Sequence, residues 1–309
     1  MADNRQKTVC EVTLCGITLR NPIIAASGTF GYGLEFEKLT DLAEIGALVT
    51  KGLSKEPIEG NPAPRLWEAH GGMINSVGLQ NVGVRAFVQD KLPQLRKLPV
   101  TVFANVFGYA PEDYLEVVRV LNDAEGVSAY ELNVSCPNTK HGGIFFSNDA
   151  DALKALVTDV KRIASRPIIV KLSPNVARIE PLALAAQESG ADAVSLVNTF
   201  VSLAIDARTR RPRIGAGFGG LSGPAIKPIA LRMVYQAAQA VSIPVIGMGG
   251  IASGEDAAEF LIAGATAVEV GTASFWNPGA AAKVAQELQE FLIEQQIEDV
   301  RELTGTLRL

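Results

Sequence analysis

The hexapeptide Asn133-Val-Ser-Cys136-Pro-Asn138 places a thiol and two carboxamides where an apolar run meets a proline, a residue that cannot donate to a sheet ladder. A chain leaving a sheet at that point presents Cys136 at the carboxyl end of a strand. An unperturbed thiol titrates near about 8.5 and is a few per cent thiolate at neutral pH, so Cys136 is suited to act as a general base whose activity rises with pH. Most free cysteines are buried small hydrophobes, the reading that fits Cys10 and Cys15. The polar or flexible neighbours of Cys136, namely Asn133, Asn138 and His141-Gly-Gly143, place its thiol in a site instead.

Two lysines interrupt apolar strands, in Val49-Thr-Lys51-Gly52 and Val170-Lys171-Leu-Ser-Pro174. Either one alone is as well explained by snorkelling to a rim. Two at the same end of a sheet suggest an anionic ligand and a cofactor that becomes anionic. Gly249-Gly250 and Gly271-Thr272 each follow an apolar run, where backbone N–H groups can approach a phosphate closely. One such pair reads as a tight turn; two, after the last two strands of a barrel, favour phosphate binding. The amides Asn75, Asn81, Asn105, Asn133, Asn138 and Asn198 offer donor and acceptor together, which suits a planar ring with alternating C=O and N–H groups, although a loop-capping role is the safer reading of any single one.

These residues need a scaffold, and the chain supplies a repeated one. Eight β-rich apolar segments recur: Ile23–Ala26, Ala47–Thr50, Val100–Ala104, Tyr130–Val134, Ile168–Leu172, Ala193–Val197, Val245–Gly247 and Ala267–Val270. Most are continuous rather than alternating, the pattern of parallel strands covered on both faces. Between them runs a helical period, as in Ile226, Ile229, Ala230, Met233, Val234 and Ala237, read as the barrel-facing side. Ser253-Gly-Glu-Asp256 reads as a capped helix start. The expected fold is a TIM (β/α)8 barrel, class α/β, as a single domain over 1–309 with an N-terminal β-hairpin around Val9 to Leu19 and long loops at the C-terminal face. Those long segments are Lys51 to Val82, Cys136 to Asn148 and Asn198 to Gly223. Gly215-Ala-Gly217-Phe-Gly-Gly220 has the spacing of a dinucleotide fingerprint but neither its strand nor its helix, so a flexible glycine-rich loop ending on a ligand near Gly223 is expected.

Composition narrows the classes. With 309 residues and 48% hydrophobic content the chain can bury one large core. No apolar run reaches the ~18 residues of a membrane span, and Met1 to Lys7 is polar, so a soluble, cytoplasmic protein is expected. Three cysteines in no ligand spacing and histidines only at His70 and His141 argue against a metal site. A net charge of -5 is the wrong sign for nucleic acid.

The motifs Asn75-Ser-Val-Gly-Leu79, Asn133-Val-Ser-Cys136-Pro-Asn138, Val170-Lys171-Leu-Ser-Pro174, Val197-Asn198-Thr199, Gly219-Gly-Leu-Ser-Gly-Pro224, Gly247-Met-Gly-Gly250 and Val270-Gly271-Thr272 span nearly the whole chain. In that order they resemble the dihydroorotate dehydrogenases. Cysteine at position 136 matches class 1, and Gly220 to Ile226 is similar to the type B catalytic subunit. The resemblance implies oxidation of dihydroorotate to orotate in de novo pyrimidine biosynthesis, with one FMN held by Ser27, Lys51, Gly52, Asn105, Asn133, Lys171, Val197, Gly223, Gly249, Gly250, Gly271 and Thr272. It implies substrate held by Lys51, Asn75, Ser76, Val77, Gly78, Leu79, Asn133, Asn198 and Thr199, with Cys136 taking the C5 proton, a hydride leaving C6, and Lys171 stabilising the flavin's developing charge. It further implies electrons passing to NAD through a partner subunit carrying FAD and a 2Fe–2S cluster, in a heterotetramer built on a homodimer. The chain's lack of a four-cysteine cluster and of a dinucleotide motif fits such a partner.

Alternatives remain at this stage: a fumarate-linked type A enzyme, a dihydropyrimidine dehydrogenase acting on uracil or thymine, a tRNA dihydrouridine synthase, and a non-redox phosphosugar isomerase or aldolase barrel. Lys51 with the Asn75 segment favours a carboxylated substrate over uracil. The tRNA enzyme would need a basic surface.

Overall fold

The computed structural model describes residues 8–134, 146 and 148–309. The strands in chain order are β1 Val12–Leu14, β2 Ile17–Leu19, β3 Ile23–Ala25, β4 Ala47–Val49, β5 Leu66–Ala69, β6 Gly72–Asn75, β7 Thr101–Val106, β8 Ala129–Asn133, β9 Ile168–Lys171, β10 Ala193–Leu196, β11 Phe200–Ser202, β12 Ile205–Asp206, β13 Arg211–Pro212, β14 Gly219–Ser222, β15 Val245–Met248 and β16 Ala267–Val270. Eight of them close a parallel barrel in the order β3-β4-β7-β8-β9-β10-β15-β16, returning to β3 with Val268 opposite Ile23. These are the eight apolar runs of the sequence. Their residues are almost all buried, as strands must be when side chains fill the interior and helices cover the outside.

Helices Pro111–Asn122, Ala150–Ile163, Glu180–Glu188, Lys227–Ala240, Gly254–Ile262 and Ala280–Glu294 form the outer layer. The first repeat departs from the pattern. Between β3 and β4 there are only the short turns Leu34–Phe36 and Leu42–Glu44, because Gly31 (φ 54) and Gly33 (φ 92) turn the backbone through conformations a helix does not contain. On Lys227–Ala240 the buried stripe is Ala230, Met233, Val234 and Ala237, while Ile229 faces outward, contrary to its expected place on that face. At about 100° per residue, position 229 falls at the margin of the stripe that the other four define.

Two local expectations hold in atomic detail. Ser253 Oγ accepts from Asp256 N–H at 3.1 Å and Asp256 Oδ2 accepts from Ser253 N–H at 3.0 Å, a reciprocal cap. The hairpin β1–β2 turns through Cys15 (φ 52) and Gly16 (φ 78), a two-residue turn with both centres left-handed, the geometry that matches strand twist. Cys15 packs against the barrel, where burial, then the nearby Asp192, pushes its thiol up to about 12, and that makes it inert at neutral pH.

Over the carboxyl ends of the barrel strands lies a four-stranded antiparallel sheet in the order β11-β14-β6-β5. It joins two of the three long segments read from the sequence. Of the glycine-rich stretch, Gly215 to Phe218 is turn and loop as expected, but it does not stay a loop up to Gly223: Gly219–Ser222 is a central strand, paired with β6 on one side and β11 on the other. Its glycines are needed for contact, since a Cβ on Gly219 would come within 2.6 Å of the Ile74 side chain. Of the third long segment, residues 136–145, with Cys136, Asn138, His141, Gly142 and Gly143, and residue 147 lie outside the described residues.

Candidate active site

In a strand, alternate residues share a face, so in β8 the inward Glu131 is followed two residues on by Asn133 at the strand end. The ladder sets their neighbours: Asn105 of β7 lies opposite Glu131, and Lys171 of β9 lies opposite Asn133 and Ser195 of β10. Inside the barrel these side chains meet. Lys171 Nζ is 3.1 Å from Glu269 Oε2 of β16 and 3.4 Å from Glu131 Oε1. Glu131 also accepts from Asn105 Nδ2 at 2.6 Å and from Ser195 Oγ at 2.9 Å.

Lys171 is 5% exposed, so it does not snorkel to the rim. Burial would pull its pKa down, but the two glutamates more than reverse this and hold the ammonium form. Burial lifts Glu131 as well, and there the Lys171 charge with bonds from Glu269, Asn105 and Ser195 brings the carboxyl below its ordinary range. Glu269 moves the other way, raised well above the usual carboxylate value by burial and by the charge of Glu131. Among the described residues, Asn105 Oδ1, in a residue 1% exposed, has no hydrogen-bond partner.

Above this cluster opens a cavity of about 460 Å³, within the size range of small-molecule sites. Ser27, Asn133, Lys171, Val197, Gly223, Gly249, Gly250, Gly271 and Thr272 all line it, and so does Glu269. Asn75, Ser76, Val77, Gly78, Leu79, Asn198 and Thr199 line it too. The β6 wall is fixed by Asn75 Nδ2 donating to Gly220 O at 3.2 Å and Asn61 Nδ2 to Ser76 Oγ at 2.8 Å. Tyr114 Oη donates to Asn133 O at 2.9 Å, tying the strand end to helix Pro111–Asn122.

The pair Gly249-Gly250 forms a close-backed cradle. A Cβ on Gly249 (φ 126) would sit 2.7 Å from Ala230 Cβ, and one on Gly250 (φ 85) 2.8 Å from Lys227 Cβ. Only glycine satisfies both the left-handed backbone and the packing.

Three expected site residues do not line the cavity: Lys51, Gly52 and Asn105. Lys51 is half-buried, with its pKa lowered by burial and by the charge of Arg65. Gly52 packs on Asn105, whose Oδ1 a Cβ would meet at 2.8 Å. Asn81 is a loop brace, its Oδ1 accepting from Ser54 N–H and Gly83 N–H at 3.3 and 2.8 Å. Sequence reasoning missed Glu131 and Glu269, although each is a charge inside an apolar strand, the same signal that picked out Lys171.

Fold and site together define a parallel barrel with a polar cluster under a glycine-cradled cavity at the carboxyl ends of its strands. The dihydroorotate dehydrogenase family model matches residues 9–292, and the chain belongs to that family. It is 71% identical over 296 residues, 96% of this chain and 97% of the relative, to a Solibacter usitatus protein provisionally named dihydroorotate dehydrogenase A (fumarate). It is 53% identical to the dihydroorotate dehydrogenase B (NAD(+)), catalytic subunit, of Geobacter sulfurreducens, over 98% of this chain and all of the relative. A Citrifermentans bemidjiense protein of the same name is 51% identical over the same shares.

Proposed function

We propose that this chain is the catalytic subunit of an NAD-linked dihydroorotate dehydrogenase, one FMN-binding barrel that oxidises dihydroorotate to orotate in pyrimidine biosynthesis. The observation that carries the reading is the cavity: motif residues from seven separate segments converge on one space, with an ammonium and a carboxyl group beneath it and a glycine cradle beside it.

The residues fit FMN. The cradle of Gly249, Gly250, Gly271 and Thr272 suits its phosphate, and Lys171, Asn133, Ser27, Val197 and Gly223 suit its ring. The orphaned Asn105 Oδ1 is an acceptor awaiting an N–H donor. Lys51, Gly52 and Asn105 would act from just behind the cavity wall. What FMN supplies when bound is a two-electron acceptor.

The chain's own residues do the rest. Asn75 to Leu79, Asn198 and Thr199 hold the substrate ring, and Lys51 serves its carboxylate. Cys136, three residues beyond the end of β8, takes the proton from C5 as the hydride leaves C6. Lys171, held as an ammonium, stabilises negative charge as it develops at the cavity floor. General-base catalysis contributes about 10²–10⁴-fold, so Cys136→Ala slows flavin reduction by that order in stopped-flow. An alanine variant that reduces at the wild-type rate removes Cys136 from the mechanism.

The NAD-linked reading draws on the relatives named type B and on the Gly220 to Ile226 run. It calls for a partner subunit with FAD and a 2Fe–2S cluster, in a cytoplasmic heterotetramer. Among the described residues no helix is long and apolar enough to cross a membrane. The relative at 71% identity favours a fumarate-linked second reading. Turnover of the purified chain with fumarate alone would select the latter. NAD reduction only after the iron–sulfur flavoprotein is added selects the former.

A further inference from the structure

Two carboxylates are acceptor-only groups and cannot hydrogen-bond to each other unless one carries a proton. Glu131 and Glu269 share the one Lys171 ammonium, at 3.4 and 3.1 Å. The exposure of all three side chains is at most 6%, so an unbalanced charge in the cluster would be costly. One ammonium, one carboxylate and one carboxylic acid make it neutral. The donors decide which carboxyl is ionised. Glu131 receives Asn105 on one oxygen and Ser195 on the other, whereas Glu269 receives the shared Lys171. The ionised form is therefore better satisfied at Glu131.

We propose that Glu269 is a neutral carboxylic acid that donates its proton to Glu131, and that the two together are positioning residues which fix the Lys171 ammonium at the cavity floor and set the net charge there. The assignment rests on the reading of the cavity as an FMN site only for its consequence, since the proton itself belongs to the empty barrel as much as to the loaded one. Among the described residues, Lys171 from β9 is the only other charged group acting on the pair; β7 and β10 present the neutral Asn105 and Ser195. The opposite displacements of the Glu131 and Glu269 carboxyls agree with the donor pattern.

Two consequences distinguish the glutamates. Glutamine copies the protonated acid, so Glu269→Gln keeps the charge, whereas Glu131→Gln removes the single anion beside Lys171. The first test is infrared spectroscopy of the full-length chain with isotope-labelled glutamate at neutral pH. A protonated-carboxyl C=O band that shifts in deuterium oxide is expected in the wild type and absent in Glu269→Gln. Its absence from the wild type, or its survival in Glu269→Gln, overturns the proposal. The second is the midpoint potential of bound FMN by dye equilibration. Glu131→Gln is expected to favour the reduced over the oxidised flavin by at least tenfold, about +30 mV for a two-electron couple, while Glu269→Gln changes the ratio less than threefold. Equal shifts in both variants overturn it. Should Glu131→Gln not fold, Ser195→Ala removes one donor from Glu131 and is expected to move the infrared band, and an unmoved band counts against the assignment. A chain that shows the band yet binds no FMN would leave the proton assignment standing and remove the cofactor reading instead.

Discussion

Replacing Lys171 by methionine gives the sharpest test of the cluster's charge count. Methionine keeps the unbranched shape and removes the ammonium that lies 3.1 Å from Glu269 and 3.4 Å from Glu131. With Glu269 already protonated, the variant retains one carboxylate, Glu131, 0% exposed and left with neutral donors, Asn105, Ser195 and the Glu269 acid, in place of an ammonium. Breaking a buried pair from one side costs about 3–5 kcal/mol, a large share of the roughly 5–15 kcal/mol that stabilises a domain. Adding Glu131→Gln removes the orphaned charge and returns the protein to within about 1–2 kcal/mol of wild type. Adding Glu269→Gln instead gives no rescue, because that residue carries no charge to remove. The assay is urea unfolding followed by far-UV circular dichroism, with linear extrapolation. The pH dependence follows from the same logic. Without the ammonium, the native pKa of Glu131 rises above its unfolded value of about 4.3. A group raised in the folded state contributes stability below its unfolded value and loses it as pH climbs through the folded one, so Lys171→Met is most stable in mild acid. A cost under about 1 kcal/mol, or equal rescue by either glutamine, refutes the charge assignment.

Gly250→Ala sets a Cβ 2.8 Å from Lys227 Cβ and 2.9 Å from Gly223 O on a backbone at φ 85, so it costs at least about 1 kcal/mol of stability and weakens FMN binding, read by flavin fluorescence titration. Ser253→Ala removes the cap of Gly254–Ile262 and costs about 1 kcal/mol in thermal or urea unfolding. Burial lifts the Asp256 carboxyl, but Lys227 at 2.6 Å and the N–H groups of Ala252 and Ser253 outweigh it and leave its pKa depressed. Its stabilisation is therefore present above the unfolded value of about 3.9 and fades as pH falls through it, so Asp256→Asn flattens the acid limb of the stability profile.

How much of this was legible in the sequence depended on whether the signal was local. The barrel strands were, because burial on both faces forces apolar residues at every position, and such runs as Ile168-Ile-Val170 admit few other readings. The cap at Ser253 was, because its partners lie three residues apart. The sheet over the mouth was not, since β14 pairs with β6 across nearly 150 positions and its glycines look like a flexible loop until the strands beside them are known. The Lys171 cluster falls between these cases. Lys171, Glu131 and Glu269 each stand out as charges in apolar strands, but an isolated charge says nothing about its partner, and only closure of the barrel brings β16 around to face β8 and β9. That closure turns three separate oddities into one neutral group. It also changes what Lys171 is for: a lone buried lysine tends to lose its proton, whereas one flanked by a carboxylate and a carboxylic acid keeps it, and a cavity floor that must stabilise developing negative charge needs the second kind.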